Sequence, residues 1–337
     1  MGGLTLVVIV VASAAISAGG IRALLPWLQR HAMAHPNARS SHRIPTPQGG
    51  GIAVVGAAVT VAAAGVVAAL VPLPADIGTL WWALGAAVFI ALVGAADDAR
   101  SVGVAPRLMF QAAAVCLVVA SLPVELRVVP ILPWWVERAI LLVGCLWFVN
   151  LTNFMDGIDW MTVAEFVPLA AGLVVIGMTG ALPDYAIFVA LALAGGLIGF
   201  APFNRPVARI FLGDVGSLPI GLLFGWLLVL LASRGYVIAA LVLPLYYLAD
   251  STLTLLWRAA RREPFWQAHR THFYQVATDR GFSVGEIVAR VFLVNVILLL
   301  LATASVLWPS PSVDFLALGG GAIAVGGLLW HMTKGKP

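Results

Sequence analysis

The chain has 337 residues, of which 61% are hydrophobic and only 10% charged, and its formal net charge is +4. Its mean hydropathy is +1.01. Because a soluble domain carries about 25% charged residues, this composition excludes the soluble classes and indicates a polytopic membrane protein.

Eleven apolar segments follow one another along the chain. A helix needs about 20 apolar residues to cross a bilayer, and none of the segments shows the alternation of a β-barrel strand. The sequence therefore predicts an all-α fold with about eleven transmembrane helices, in a single integral membrane domain over residues 1–337. The predicted helices cover about 3–25, 50–71, 79–96, 108–122, 134–152, 164–181, 184–200, 216–233, 236–257, 286–307 and 313–332.

The basic residues indicate how these helices are oriented. Only Arg127, Arg138 and Arg234 of the 19 Lys and Arg residues fall on one side of the predicted membrane. By the positive-inside rule the other side is cytoplasmic, which places the N-terminus outside and the C-terminus in the cytoplasm. The basic excess then reflects topology and attraction to anionic lipid headgroups, and it predicts no nucleic-acid partner.

Carboxylates gather at helix ends on the predicted cytoplasmic side. Asp97 and Asp98 end the third helix, Asp156 and Asp159 follow the fifth, and Asp214 precedes the eighth. Such a group repels itself unless a cation lies among the acids, and hard divalent ions prefer oxygen ligands. Carboxylates at membrane depth are costly and usually functional. The sequence therefore predicts a site for Mg²⁺, with Mn²⁺ as the alternative.

Glycine-rich stretches and arginines on the same side indicate phosphate binding. The stretch "TPQGGG" at 46–51 precedes the second helix, and "GDVGS" at 213–217 precedes the eighth. Backbone N–H groups at a helix N-terminus favour phosphate oxygens, although each stretch alone could serve close helix packing. The combination predicts a phosphorylated substrate and an acceptor that arrives from the lipid. The arginines available to them are Arg43, Arg107, Arg205, Arg209 and Arg270.

Four motifs occur in order along the chain: "DDARSVGVAPRLMFQ", "NLTNFMDGID", "NRPVARIFLGDVGS" and "HRTHFYQ". Together they resemble the motifs of the polyprenyl-phosphate N-acetylhexosamine 1-phosphate transferases, glycosyltransferase family 4. The resemblance runs from Ser40 to about Phe282 and implies a many-helix membrane fold with the N-terminus outside. It also implies transfer of an N-acetylhexosamine 1-phosphate from a UDP-sugar to undecaprenyl phosphate, with release of UMP.

The resemblance further implies a role for each matching residue. Asp98 matches an acid that serves as base toward the polyprenyl phosphate and is expected to matter more than Asp97. The implied catalytic residues are Asp97, Asp98, Asp156 and Asp159. The implied metal ligands are Asp214 and Asp98. Asn153, Asn204 and Arg107 match substrate-binding positions of the family. The full set of predicted substrate-binding residues is Asn150, Asn153, Asn204, Arg107, Arg43, His269, Arg270 and His272.

Two departures from the family pattern bear on the choice of sugar. Trp160 stands where the family has a glycine and is expected to narrow or reshape the floor of the pocket. A run of three histidines in the peptidoglycan-forming relative is absent, and the loop over 263–275 offers His269 and His272 instead. This loop is predicted to select the sugar, the alternative being that its aromatic residues only anchor it at the membrane interface. The pattern resembles the branch that starts lipopolysaccharide O-antigen or related cell-wall glycans, with UDP-N-acetylglucosamine or a 6-deoxy-N-acetylhexosamine as donor.

Other functions stay open at this level. The first alternative is a phospho-N-acetylmuramoyl-pentapeptide transferase, which shares the chemistry. The second, from another class, is a cation-coupled transporter, whose ionisable residues should lie near the bilayer midplane, whereas the acids here gather at one face. A CDP-alcohol phosphotransferase would need an Asp-rich signature that the sequence lacks. The expected location is the bacterial inner membrane, with the site on the cytoplasmic face and a homodimer as a further prediction.

Overall fold

The computed structural model describes residues 2–34, 44–68, 76–263 and 269–336. Within these ranges the chain forms thirteen α-helices and one antiparallel pair of two-residue strands, β1 (Met33–Ala34) and β2 (Thr46–Pro47). The helices are α1 (Gly3–His31), α2 (Gly51–Val67), α3 (Gly78–Ala99), α4 (Val104–Ser121), α5 (Trp134–Met155), α6 (Met161–Ile176), α7 (Asp184–Phe200), α8 (Asp214–Ser233), α9 (Val237–Val242), α10 (Leu245–Ala260), α11 (Phe273–Asp279), α12 (Val284–Leu307) and α13 (Pro311–Lys334).

Eight helical segments of the described chain are long and apolar enough to cross a membrane. They are α1, α3, α4, α5, α6 together with the π-helical turn Gly177–Ala181 that follows it, α8, α12 and α13. The helices α2 and α7, of 17 residues each, are apolar but shorter. The prediction of an all-α polytopic membrane protein is confirmed, while the number of spans and the side that each end faces stay predictions.

A helix occurs at each of the eleven predicted positions, but the ninth is broken. The predicted helix over 236–257 forms two helices, α9 and α10, with Pro244 immediately before α10. Proline has no N–H to donate, and its ring clashes with a helical turn before it, so one continuous helix is disfavoured here. Helix α10 therefore begins inside the bundle, where Tyr246 and Tyr247 are fully buried.

Glu165 of α6 is buried beside Tyr247, near the start of α10. Asn295 of α12 donates to its Oε2 through Nδ2 at 2.6 Å, which joins α6 to α12. The other carboxylate oxygen, Oε1, is buried without a hydrogen-bond partner among the described residues.

Helix α8 lies at the centre of the bundle. It packs against α3 and α5, and its side chains from Val215 to Leu228 are buried. Gly94 of α3 permits a close approach, since a Cβ on Gly94 would lie 2.4 Å from the carbonyl carbon of Asp214. A side chain there would push the two helices apart. The glycine therefore lets the C-terminal end of α3 lie on the N-terminal end of α8.

Two chain segments are fastened to each other at this end of the bundle. Phe211, just before α8, donates its N–H to the carbonyl of Pro47 at 2.8 Å. The carbonyl of Phe211 accepts from the N–H of Gly50, just before α2, also at 2.8 Å. The C-terminal ends of α3 and α5 and the N-terminal ends of α4 and α8 meet at the same place. The residues of the predicted site are thus brought to one end of the bundle.

Candidate active site

The acids predicted at the helix ends come together. Asp97 accepts from the backbone N–H of Val102 at 2.6 Å through Oδ1, and from Arg107 Nη1 at 2.9 Å through Oδ2. These contacts hold the turn between α3 and α4 and place the Arg107 guanidinium beside the acids. The side chains of Arg107 and Asp97 are 24% and 10% exposed, so salt screens this ion pair only in part.

Asp98 makes different contacts from its neighbour. Its Oδ1 accepts from the N–H of Asp214 at 2.9 Å, and its Oδ2 accepts from the N–H of Val215 at 3.1 Å. These N–H groups open α8, at the positive end of its dipole. Gln48, which follows β2, also donates from Nε2 to Asp98. Asp98 thus joins α3, α8 and the segment before α2, whereas Asp97 faces Arg107.

Asp214 completes what we call the acidic group, which consists of Asp97, Asp98 and Asp214. Asn153 Nδ2 donates to Asp214 Oδ1 at 2.7 Å, and the other oxygen, Oδ2, lies 3.8 Å from Arg107 Nη1. The group therefore sets three carboxylates against one guanidinium, which leaves two negative charges uncompensated when all three acids are ionised. A divalent cation would balance that charge.

The oxygen ligands of the acidic group suit a metal ion that is bound partly by a ligand, and not a metal ion enclosed by protein side chains. Among the described residues no three His, Cys or carboxylate side chains converge in an arrangement that could hold a metal ion. A metal ion here would take fewer than three ligands of these types from the protein. Mg²⁺ is commonly bound by one or two carboxylates, with water and substrate phosphates as its other ligands. The residues therefore fit Mg²⁺ bound together with a phosphorylated ligand, and do not fit a closed structural metal site.

A cavity of about 540 Å³ opens beside the acidic group. Its wall combines the segment around β2, the connection between α5 and α6, the segment before α8, and single residues of α11 and α12. A cavity of this size is in the usual range for small-molecule sites. The polar residues that line it include Gln48, Asn153, Asp156, Asp159, Asn204, Asp214 and Gln275.

Asp156 and Asp159 line the cavity just beyond the C-terminal end of α5. Burial raises the pKa of Asp156 to about 7, and the charges of Asp98 and Asp159 add to the rise, while a hydrogen bond from the Thr162 hydroxyl opposes it. Burial likewise raises the pKa of Asp159 to about 6, although the N–H of Ala208 donates to its Oδ2 at 3.0 Å. Acids that titrate near neutral pH in a cavity are candidates for a functional role.

Trp160 does not form the cavity floor that its position in the motif predicts. It adopts the left-handed backbone conformation, with φ of 65°, which glycine enters at the least cost. Its N–H donates to Asn204 Oδ1 at 2.8 Å, and its indole Nε1 donates to the carbonyl of Ala201 at 2.6 Å. These bonds hold the indole against the C-terminal end of α7. Trp160 is not among the described residues that line the cavity. Asn204 does line it, yet its amide also closes this turn.

The histidines before α11 are engaged away from the cavity lining. His272 is 3% exposed, and its Nδ1 lies 3.1 Å from Oδ1 of Asp250 in α10. Asp250 also accepts from the N–H groups of Phe273 and Tyr274, at 3.1 and 3.3 Å, and so caps α11. His269 stacks on His272 with ring centroids 4.9 Å apart, and burial above all lowers the pKa of His269 to about 4. The pair thus belongs to the joint between α10 and α11.

Two other predicted substrate-binding residues also have partners elsewhere. Arg270 donates from Nη2 to Thr278 Oγ1 at 3.1 Å and pairs with Asp279 Oδ1 at 2.9 Å. Asn150 is buried between α4 and α5, where it donates to Gln111 Oε1 at 2.8 Å. Position in a motif does not determine which way a side chain on a short helix or a buried helix face will point.

Arg43 lies outside the described residues. The predicted residues that the structure brings to the cavity or the acidic group are Asn153, Asn204, Arg107, Asp97, Asp98, Asp156, Asp159 and Asp214.

Two glutamines of the site were not predicted as site residues. Gln48 donates to Asp98 and lines the cavity, and Gln275 lines the cavity from α11. Both lie inside stretches that the sequence already singles out, "TPQGGG" and "HRTHFYQ". An amide within a glycine-rich or histidine-rich motif is the signal that could have identified them, because such a side chain can both donate and accept hydrogen bonds.

The fold and the site together define a class of protein: an all-α membrane protein with a cavity lined by carboxylates and amides at one end of its helix bundle. The sequence model of a family described as "Glycosyl transferase family 4" matches residues 80–232, a range that contains Asp97, Asp98, Asp156, Asp159 and Asp214. The match covers a little less than half of the chain, so over these residues the chain is similar to glycosyl transferase family 4, in agreement with the family that its ordered motifs predict.

Curated relatives support the same assignment over parts of the chain. A phospho-N-acetylmuramoyl-pentapeptide-transferase of Clostridium beijerinckii is 38% identical over 89 residues, which are 26% of this chain and 27% of the relative. The enzyme of the same name from Borrelia duttonii is 25% identical over 172 residues, 47% of this chain and 48% of the relative. That from Chlamydia trachomatis is 34% identical over 106 residues, 30% of this chain and 32% of the relative. The chain thus matches between about a quarter and a half of the length of these relatives.

Proposed function

We propose that the protein transfers an N-acetylhexosamine 1-phosphate from a UDP-sugar to undecaprenyl phosphate in the membrane, with release of UMP. The observation that carries the proposal is the acidic group beside the cavity, where Asp97, Asp98 and Asp214 meet Arg107 at adjoining helix ends. A diphosphate donor and a phosphate acceptor require cations to come together, and Arg107 with a divalent ion bound by the acids would provide them. The similarity of residues 80–232 to glycosyl transferase family 4 supports the same chemistry.

The bond changes of the proposed reaction balance without hydrolysis. An oxygen of the polyprenyl phosphate forms a bond to the β-phosphorus of the UDP-sugar. The bond between that phosphorus and the oxygen bridging to the α-phosphorus breaks, and UMP leaves with the bridging oxygen. A phosphate monoester has a second pKa near 6, so the acceptor is mostly a dianion at neutral pH. The site therefore has little need to remove a proton.

The residues of the chain have separate tasks in this proposal. Arg107, anchored on Asp97 at 2.9 Å, stabilises negative charge on the phosphates as it passes to UMP. Asp98 holds the N-terminus of α8 in place through the N–H groups of Asp214 and Val215, so it positions the site at least as much as it acts as base. Mg²⁺, or Mn²⁺ as the alternative, would be held by Asp214 with Asp98 as second ligand and would supply Lewis-acid charge neutralisation.

The proposal also names the sugar of the donor. We expect N-acetylglucosamine or a 6-deoxy-N-acetylhexosamine, because the chain has "HRTHFYQ" where a three-histidine run marks the peptidoglycan-forming branch. The alternative donor is a UDP-linked N-acetylmuramoyl-pentapeptide, which the names of the curated relatives favour. The proposed location is the bacterial inner membrane with the cavity at the cytoplasmic face, and the product would start a cell-surface glycan.

The acids lie at one end of the bundle, which argues against the cation-coupled transporter. A transporter of that kind places its ion site near the midplane of the membrane. The buried Glu165 lies within α6, away from the acidic group, and Asn295 donates to its Oε2 at 2.6 Å.

A donor panel tests the proposed function. The purified chain in lipid nanodiscs receives undecaprenyl phosphate, Mg²⁺ and one donor at a time from UDP-N-acetylglucosamine, UDP-N-acetylgalactosamine, a UDP-6-deoxy-N-acetylhexosamine and the UDP-linked muramoyl-pentapeptide. UMP and the lipid-linked product are both measured. We expect both with an N-acetylhexosamine donor, none without the acceptor lipid, and loss of turnover in EDTA that Mg²⁺ reverses. Turnover of the pentapeptide donor alone would favour the alternative, and no UMP from any donor would reject the proposal.

A further inference from the structure

Gln275 is the residue of the motif "HRTHFYQ" that reaches the cavity. It lies on α11, is 6% exposed, and forms part of the cavity wall. The other polar residues of the motif that were predicted to bind substrate, His269, Arg270 and His272, have partners elsewhere. A polar side chain that is buried by protein on most sides yet borders a cavity needs a partner there, because an unmade hydrogen bond is costly.

The orientation of the Gln275 amide follows from its contact with His272. Oε1 of Gln275 accepts from the backbone N–H of His272 at 3.3 Å, in a capping box at the start of α11. Because an N–H can only donate, the atom facing it is the amide oxygen, and Nε2 points the other way. Nε2 lies beside Gly157, 3.3 Å from where a Cβ on that glycine would be. Within the described part of the chain Nε2 has no hydrogen-bond acceptor.

The amide is held in a fixed place relative to the rest of the site. Tyr274, fully buried next to it, donates from Oη to the carbonyl of Phe154 at 3.0 Å. A Cβ on Gly157 would lie 2.0 Å from the same Oη, so only glycine permits this contact. Asp250 caps the start of α11 from α10. The short helix is therefore fastened both to α10 and to the C-terminal end of α5, next to the connection that carries Asp156 and Asp159.

We propose that Gln275 is a specificity-determining residue that donates a hydrogen bond from Nε2 to an oxygen of the nucleotide-sugar in the cavity. The inference rests on the proposed function and names one residue that would read the donor. A neutral N–H donor fixed in the wall can bind a hydroxyl or carbonyl oxygen of the sugar or of the base without bringing a charge into the cavity. The acidic group, by contrast, serves the phosphates.

Three variants of the purified protein in nanodiscs test this inference. Gln275→Ala removes the amide, and we expect the KM for UDP-N-acetylglucosamine, or for the best donor of the panel, to rise about three- to tenfold, the range for one neutral hydrogen bond. Gln275→Glu keeps an oxygen to accept from His272 but offers the cavity a carboxylate, so the donor KM should rise at least tenfold. Asp279→Asn, at the exposed far end of the same helix, is the matched control and should keep wild-type kinetics.

The readouts separate recognition of the donor from damage to the fold. For both Gln275 variants the KM for undecaprenyl phosphate should stay at the wild-type value, and the melting temperature of Gln275→Glu should match that of the control. Inhibition by UMP assigns the contact: an unchanged UMP constant places it on the sugar, and a weakened one places it on the uridine. Donor KM values within a factor of 1.5 of wild type in both Gln275 variants would overturn the inference. A wild-type protein that releases no UMP from any donor would instead overturn the proposed function.

Discussion

The two ends of the helix bundle differ in how their carboxylates are paired with arginines. At one end, which we call the acidic end, lie Asp97, Asp98, Asp156, Asp159 and Asp214. At the other, the paired end, each of the carboxylates Asp76 and Glu137 has an arginine of its own, Arg234 at 4.0 Å and Arg127 at 2.5 Å. The paired end lies where α3, α5 and α7 begin, so it is separated from the acidic end by the length of the helices.

Further contacts hold the two paired carboxylates, Glu137 and Asp76, in place. Glu137 is 2% exposed and also accepts from the N–H of Val128 at 2.6 Å. Asp76 accepts from the hydroxyl of Tyr185 at 2.9 Å. These bonds fix the loops that precede α3 and α5. At the acidic end, by contrast, Arg107 is the only arginine of the described chain within ion-pairing distance of any of the five acids named above. A charge that is balanced by protein serves the fold, and a charge that is left over is available to a ligand.

The largest expected effect is on turnover, in the variant Asp214→Asn, which tests the contrast between the acidic end and the paired end. The variant keeps the volume and an oxygen that can accept from Asn153, but it removes one negative charge from the acidic group. We expect normal insertion and a fall in UMP release of at least about 1000-fold, which is roughly 4 kcal/mol in the activation free energy. Asp314→Asn, at the start of α13 beside the paired end, is the control and should retain wild-type turnover. Activity of Asp214→Asn within about threefold of wild type would remove Asp214 from the catalytic site.

The converse test breaks the paired end with Glu137→Gln. The substitution leaves the Arg127 guanidinium without its carboxylate, and removal of one partner of a buried pair costs about 3 kcal/mol, the low end of the usual range, because Arg127 is partly exposed. We expect that loss in unfolding free energy, measured by denaturant titration in micelles, with unchanged kcat and KM for the folded fraction. A variant that stays fully stable but loses turnover would contradict a structural role for this end.

The sequence predicted the acidic end better than it predicted the loop beside it. Asp97, Asp98, Asp156, Asp159 and Asp214 are recognisable because a carboxylate at the end of an apolar helix is costly and stands out. Their convergence follows from helices that alternate in direction and from close packing such as that at Gly94. The all-α class follows from apolar runs of helical length, and the break at Pro244 could have been read from that proline.

The loop residues were not predictable in the same way. His269, Arg270 and His272 look like site residues because polar and aromatic groups cluster around them. The direction of His272 depends on Asp250, which lies 22 residues earlier and caps α11, and His269 stacks on His272. Arg270 turns instead to Thr278 and Asp279. Trp160 illustrates the same limit. A tryptophan in place of glycine suggests a filled pocket, whereas the left-handed turn directs the indole to the carbonyl of Ala201. Tertiary contacts decide both cases.

The smallest expected effect is on the free energy of unfolding, which should depend on pH through Asp156 at the acidic end. The pKa of Asp156 is raised to about 7, chiefly by burial, so between pH 4 and 7 the folded protein holds a proton that the unfolded chain has released. The folded state then binds more protons than the unfolded state, and the free energy of unfolding falls as pH rises through this range. It levels off above pH 7, where both states are ionised at Asp156. Partial exposure of the side chain limits the loss to about 1–2 kcal/mol.

Thermal unfolding in EDTA from pH 4.5 to 7.5 measures this dependence. Asp156→Asn removes the titrating group, so its melting temperature should change less with pH than that of wild type and should exceed wild type at pH 7.5. Thr162→Val removes the hydroxyl that donates to the ionised Asp156, so its fall in melting temperature should extend to higher pH. Glu137→Gln at the paired end should lower the melting temperature but leave its change with pH as in wild type. If Asp156→Asn loses as much stability as wild type between pH 4.5 and 7.5, the acid at the cavity is already ionised in the folded protein, and the excess negative charge of the acidic end is present in full without a cation.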